Sequence, residues 1–334
     1  PMTETVIDYR VMADAVESAC RAPSVHNSQP WRWIADGGGE VRLLLDPRRI
    51  PRATDRSGRE AVISCGAALG HLQVSAAAAG WHADIARFPN PNDLDHLATA
   101  TFGRSQFVTE AARARAEAIS RRRTDRLPFA APQAFPAFEA VLRSTVDTDK
   151  ATLHVLSADA RPQLAQASRL TESLRRYDSS YHAELQWWTE VSELSDGLPS
   201  SGLPQSTLLS TAEGDRVDIA RRFPAGEHPD RRPEVDRDHS VVVVLSTHGD
   251  SRRDALGCGE VLSDVLLEAT LAGMATCTLS HMTESEASRE MIARLTGGSG
   301  NPQLLIRIGR VPVPGLQPPA TPRRPLSEAL EEHR

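Results

Sequence analysis

Lysine is almost missing from this chain of 334 residues: of its 38 basic residues, only Lys150 is a lysine. That shortage excludes a GK[ST] phosphate loop, and Schiff-base chemistry has only the polar turn Asp147-Thr148-Asp149-Lys150 to work with. Cysteine is scarce too. Cys20, Cys65, Cys258 and Cys277 are scattered with no CxxC pair, which speaks against a zinc knuckle or a dithiol motif and for buried free thiols. No GxGxxG dinucleotide fingerprint is present, and no GxSxG elbow stands behind the Ser24/His26 pair, so an acyl-transfer reading of those two residues has no support. Long apolar runs are also absent: none approaches the roughly 18 residues of a membrane span, and the acidic N-terminal stretch has no signal core, which leads us to expect a cytoplasmic protein. With a net charge of -6, the chain has no long-range attraction for nucleic acid or an anionic membrane. An anion would have to be held by a local cluster of arginines.

Against these absences stands an internal repeat. Residues 65–80, CGAALGHLQVSAAAAG, and 258–273, CGEVLSDVLLEATLAG, share Cys, Gly, Leu, Ala, Ala and Gly at one offset of 193. Each copy follows an apolar run, Val41 to Leu45 or Val241 to Leu245, and ends on glycine, so each reads as strand, loop and long helix with a glycine C-cap. The rest fits two unequal α+β halves, residues 1–120 and 121–334. A helix is expected over Val11 to Arg21, a hairpin from Trp31 through Gly37-Gly38-Gly39 into Val41 to Leu45, strands over Trp81 to Phe88 and Ala98 to Phe102, and a helix over Ala111 to Arg121. Trp31 and Trp33 alternate as core-facing strand residues would. Residues 189–238 break the pattern: Ser195 to Pro204 is loop chemistry, Ser206 to Ile219 is compatible with a helix, and 226–237 is charged. An insertion this long reads as a lid or binding loop. The chain then runs through a strand over Gln303 to Ile308 into a proline-rich arm.

The chemistry is concentrated in Arg21-Ala22-Pro23-Ser24-Val25-His26-Asn27-Ser28-Gln29-Pro30-Trp31. Proline stops the preceding helix, and the loop that follows carries more hydrogen-bonding side chains than a core pattern would explain. This string resembles the APSxxNxQPW loop of the FMN-dependent nitroreductases. Arg121-Arg122-Arg123-Thr124-Asp125-Arg126 resembles their RRSxR phosphate arm, and Thr321-Pro322-Arg323-Arg324-Pro325 their basic C-terminal arm. Arginine suits a phosphate because its planar fork offers paired N–H donors that stay charged.

With Leu170 to Asp178 added, nearly the whole chain resembles the Acg-type branch of the nitroreductase superfamily. The resemblance implies a nitroreductase-like fold, FMN as cofactor, and a pocket built from Pro23, Ser24, His26, Asn27 and Gln29 on one side. On the other side it implies Arg122, Arg123, Thr124 and Arg126, Arg323 and Arg324, and Leu279, Ser280 and His281 near flavin N5. Ser280 and His281 depart from the acidic residue and glycine usual in the family.

Ordinary members are homodimers. Here the first half carries the PSxxN loop and the second the arginine arms, which implies one site in an intrachain pseudo-dimer, a monomer with internal two-fold symmetry. NADH or NADPH and a flat acceptor such as a nitroaromatic or quinone are the implied partners. The alternative is an FMN store whose insertion blocks the ring.

Overall fold

The computed structural model describes residues 5–190, 200–313 and 316–333. In chain order the elements are α1 (Tyr9–Ala19), β1 (Trp31–Ala35), β2 (Glu40–Leu45), α2 (Arg59–Ala78), β3 (Trp81–Arg87), β4 (His96–Arg104), α3 (Glu110–Arg121), α4 (Phe135–Thr145), β5 (Thr152–Val155), α5 (Arg161–Arg175), α6 (Ser179–Glu190), α7 (Thr211–Gly214), β6 (Val241–Thr247), α8 (Arg252–Leu271), β7 (Ala275–Leu279), α9 (Glu286–Leu295), β8 (Asn301–Gly309), α10 (Leu326–Ala329) and β9 (Leu330–Glu332). They form two sheets, ordered β3-β4-β2-β1-β9 and β5-β6-β8-β7, with α2 and α8 packed between them. This is the α+β architecture expected.

The two repeat segments are the central helices. Asp55 caps α2 by accepting from the Glu60 and Ala61 amides, Ser251 and Asp254 form a capping box on α8, and Gly80 and Gly273 follow the helices in left-handed conformation. The helices cross at Gly66 and Gly259, whose Cα atoms face each other. A Cβ on either would land inside the backbone of the other helix, against the Leu256 or the Ile63 carbonyl. A Cβ at Gly70 would instead meet the side chain of Ser263. The facing pairs Gly66/Gly259 and Gly70/Ser263 keep the offset of 193 found in the sequence, and so do Leu256 and Ile63, whose carbonyls crowd Gly66 and Gly259 respectively.

Two expectations need correction. Residues 206–219 do not form one helix: the capping box of Ser210 and Glu213 starts α7, which ends at Gly214, and Val217 and Ile219 are buried from irregular backbone. The apolar character of α2 was underestimated. By length and composition this helix could cross a membrane, yet 78% of it is buried inside the protein, where α8 and the first sheet use it. The proline-rich arm expected up to Leu326 has no helix or strand among its described residues, and after it α10 leads into β9, which pairs in parallel with β1. Part of the loop expected at Ser195 to Pro204, residues 195–199, lies outside the described residues. The four cysteines are free and buried, and Trp31 and Trp33 are fully buried.

Candidate functional site

A cavity of about 430 Å³ opens between the loop after α1, the start of α2, the segment after α3 and the end of β7. Its size suits a small organic ligand or cofactor. The loop after α1 supplies Pro23, Ser24 and His26. The segment after α3 supplies Thr124 and Arg126, and the end of β7 supplies Leu279, Ser280 and His281. Ile63, Leu262 and Leu304 make an apolar floor, and the insertion closes one side from Leu209 to Ala225.

The Pro23 to Gln29 loop is held in a costly shape. His26, Asn27 and Gln29 all have positive φ, 53°, 53° and 51°. Non-glycine residues enter this region at an energetic cost and persist there only when their surroundings fix them. Here the Gln29 amide donates to Ser24 Oγ (3.0 Å), the Val25 amide donates to Ser64 Oγ (3.2 Å), and His26 Nε2 meets Thr54 Oγ1 at 2.9 Å. Asn27 Nδ2 donates to the carbonyls of Gly202 and Pro322, both at 2.9 Å, while its Oδ1 is buried without a partner. Gln29 accepts from the Arg324 amide and donates to Ser200 O. Asn27 and Gln29 therefore fasten the C-terminal arm and the insertion to the loop and do not line the cavity.

The arginines divide into three groups. Arg21, Arg122, Arg123 and Arg323 gather beside the loop. Arg323 donates to the carbonyls of Cys20, Arg21 and Ala22 at the end of α1, and Arg122 also donates to Arg21 O. Burial, then the charges of Arg21 and Arg123, push Arg122 down to about 9, and burial with Arg21 and Arg122 depresses Arg323 strongly. No carboxylate among the described residues pairs with any of the four. Guanidinium does not give up its proton at working pH, so the repulsion persists until an anion relieves it.

Arg126 stands apart, inside the cavity, with its Nη1 buried and unpartnered and its guanidinium 5.4 Å from the centre of the Phe223 ring. Arg324 is spent on the carbonyls of Gln29 and Trp31. Thr124 and Asp125 are strapped to β7 through Thr276, and Asp125 forms a buried pair with Arg232, with Nη2 to Oδ2 at 2.6 Å, which sets the direction of the arginine segment.

His281 and His26 are both buried. Burial first, then Arg221 with Arg222 or Arg126, drives their pKa values well below the ordinary histidine value, so both rings are neutral and neither is a ready proton donor. His281 Nε2 meets Ser168 Oγ at 2.9 Å, and Ser168 also bonds the backbone of Ala220 in the insertion.

The sequence reading missed the residues that the insertion brings. Arg221 reaches Glu284, Tyr181 and Ser280, and lies 3.6 Å from Glu60. Phe223 meets the His26 ring edge-on at 5.6 Å. The only trace of these in sequence is the Arg221-Arg222-Phe223 string inside an otherwise irregular segment. Arg21 was within the diagnostic loop, but no spacing rule tied it to Arg122.

Comparison with known proteins puts this geometry in context. No family model matches the chain. A Mycobacterium tuberculosis protein named "Putative NAD(P)H nitroreductase acg" is 54% identical over 329 residues, covering 98% of this chain and 98% of its own. The chain belongs to the nitroreductase superfamily. A second Mycobacterium tuberculosis protein of the same nitroreductase naming is 34% identical over 328 residues, covering 97% of this chain and 92% of its own. Among solved structures, the FMN-dependent nitroreductase NfnB from Mycobacterium smegmatis in complex with NADPH aligns at 18% identity with a TM-score of 0.40, over 67% of this chain and 100% of its own. Of the sequence-derived site residues, Pro23, Ser24, His26, Thr124, Arg126, Leu279, Ser280 and His281 line the cavity of this nitroreductase-superfamily chain, while Arg122, Arg123, Arg323 and Arg324 lie outside its lining.

Proposed function

We propose that this protein is a flavoprotein that binds one FMN and catalyses NAD(P)H-dependent reduction of flat acceptors, nitroaromatics or quinones among them. The observation that carries the reading is the group of four arginines with no acidic partner among the described residues, placed where Ser24 and Thr124, a few residues further along two of the chain segments, enter the cavity. A dianionic phosphate supplies the charge that this group lacks. An isoalloxazine ring suits the slot floored by Ile63, Leu262 and Leu304, and Arg126, charged and unpartnered, would stabilise negative charge on the reduced ring. Bound FMN supplies the hydride chemistry. The chain's own residues bind the phosphate, exclude water through the insertion and fix the loop at Ser24.

On this reading the protein is a duplicated chain whose two halves replace the two subunits of an ordinary family member, with one site kept. The matching offsets across the α2 and α8 crossing support it, as does the division of the pocket between the loop of the first half and the arginine segment of the second. We place the protein in the cytoplasm on the same footing.

A second reading has its own observation. Phe223 and Arg221 line the cavity from the insertion, and Ala220 is tied to His281 through Ser168. A ring covered in this way would be stored and kept from nicotinamide. Anaerobic mixing decides between them: reduction by NADPH within seconds is the result expected of the enzyme, and a flavin that bleaches only with dithionite would overturn turnover in favour of storage. Removing residues 208–226 should then restore reduction by NADPH if the insertion is the barrier.

A further inference from the structure

The cavity shares one wall with a second, outer pocket of about 500 Å³, which is lined by Asp55, Arg59, Asp250, Thr283, Glu284 and Arg289 among others. Among the described residues only Glu60 lines both. It is the second residue of α2, 4% exposed, and neither of its carboxyl oxygens has a hydrogen-bond partner. We propose that Glu60 is the proton gate of this protein: a carboxylic acid that hands its proton to a ligand reduced in the inner cavity and is recharged from solvent through the outer pocket.

The surroundings fit an acid that spends most of its time neutral. A buried carboxylate without hydrogen bonds is far costlier than the protonated form, which has only a dipole to accommodate. The groups facing it are Glu284 and Asp55, which oppose its ionisation, and Arg221 and Arg59, which favour it. Burial comes first and the two carboxylates next, and together they carry the pKa well above the usual range. Arg221 is also engaged by Glu284, so at 3.6 Å from Glu60 it offers charge without a hydrogen bond. After the proton has left, that guanidinium stabilises the remaining carboxylate. The imidazoles of His26 and His281 are neutral, which leaves Glu60 as the acid on this wall.

The balance is simple. A ligand that gains an electron pair as hydride, from the nicotinamide of the proposed reaction, becomes more basic. It takes one proton from the Glu60 carboxyl, and the carboxylate recovers one proton from water in the outer pocket. The role in turnover rests on the flavin reading, but the protonated acid does not.

The test begins with the protein free of FMN. Infrared spectra at neutral pH should show a protonated carboxyl band that moves on labelling with carbon-13 glutamate and disappears in Glu60→Gln. No such band in the labelled wild type, or a band that survives in Glu60→Gln, overturns the proposal. The FMN complex, reduced with dithionite and then mixed with a quinone, gives the second measurement. Glu60→Gln should bind FMN as the wild type does yet reoxidise roughly a hundredfold more slowly at neutral pH, and should lose the pH dependence of the wild-type rate. An unchanged rate and pH profile in Glu60→Gln overturns the proposal. Arg221→Gln guards against a misfolded first variant: removing the facing cation should move the wild-type pH profile upward, and an unmoved profile counts against Glu60. Failure of the wild type to bind any flavin would sink the flavin reading and leave the infrared result to judge Glu60.

Discussion

Arg122 and Arg323 have no acid to face, and each is fastened by backbone carbonyls at the end of α1. On the proposed reading, truncating either removes a phosphate donor while relieving the repulsion among these arginines in the FMN-free protein. Arg122→Ala should weaken FMN binding about 10- to 100-fold, the worth of one hydrogen bond to a charged group, with little loss of stability in the absence of FMN. Fluorescence quenching of free FMN measures the first and denaturant unfolding the second.

Glu213 makes the opposite prediction, because its charge is fully answered. Burial pushes its carboxyl up, but the Arg231 guanidinium and the amides of Ser210 and Arg231 outweigh this and bring it down to about 2. A depressed carboxylate stabilises the fold above its unfolded pKa of about 4.3 and loses that contribution as pH falls toward 2. Hydrogen-exchange protection factors at residues 208–235, taken relative to the intrinsic rate at each pH, should thus fall on acidification through that window, and Glu213→Gln should show lower protection already at neutral pH.

Residues of this kind mark the limit of what the sequence shows. Pro23, Ser24, Thr124 and Ser280, picked out by the motif, line the cavity, while Asn27, Gln29 and Arg324, picked out in the same way, do not. The isolation of Arg21, Arg122 and Arg323 from the carboxylates of the described residues depends on where Asp125 turns, and Asp125 turns to Arg232, more than a hundred residues away.

Helices and strands were the most legible elements where the local signal and the packing agree. The hairpin around Gly37 to Gly39, the strands on either side of Asn90, and α3 lie close to where periodicity puts them. The region after Ser206 was misread because a capping box and two buried apolar residues mimic a helical face, while Arg216 and Arg231 actually hold the backbone through its carbonyls. β9 was invisible, since a three-residue strand takes its identity from pairing with β1 and carries no pattern of its own. The repeat glycines were read as part of a motif, and the structure gives the reason for Gly66 and Gly259: the two helix backbones touch there. Gly259→Ala should force them apart and cost about 3 kcal/mol or more, beyond the usual range for overpacking because the obstacle is main chain. Urea unfolding would show it as a lowered midpoint. A midpoint equal to wild type would mean that the crossing is looser than described.

At the scale of the whole molecule, the strained loop at 24–29 and the segment at 124–126 flank one cavity, residues 209–225 close one side of it, and the C-terminal arm is a strap across the loop. Arg324 and Asn27 tie that strap to the loop, so loss of one fastening should loosen both. Asn27→Ala is expected to speed proteolysis of residues 316–325 and to weaken FMN binding together, and a change in one without the other would separate loop from arm. The central claim, that a phosphate rests on the unpaired arginines while a flat ring fills the adjoining cavity, is tested most directly by titrating the protein with FMN and with riboflavin, which differ only in the phosphate. The account predicts one FMN per chain and riboflavin binding at least a hundredfold weaker. Equal affinity for the two, or two FMN molecules per chain, would contradict it.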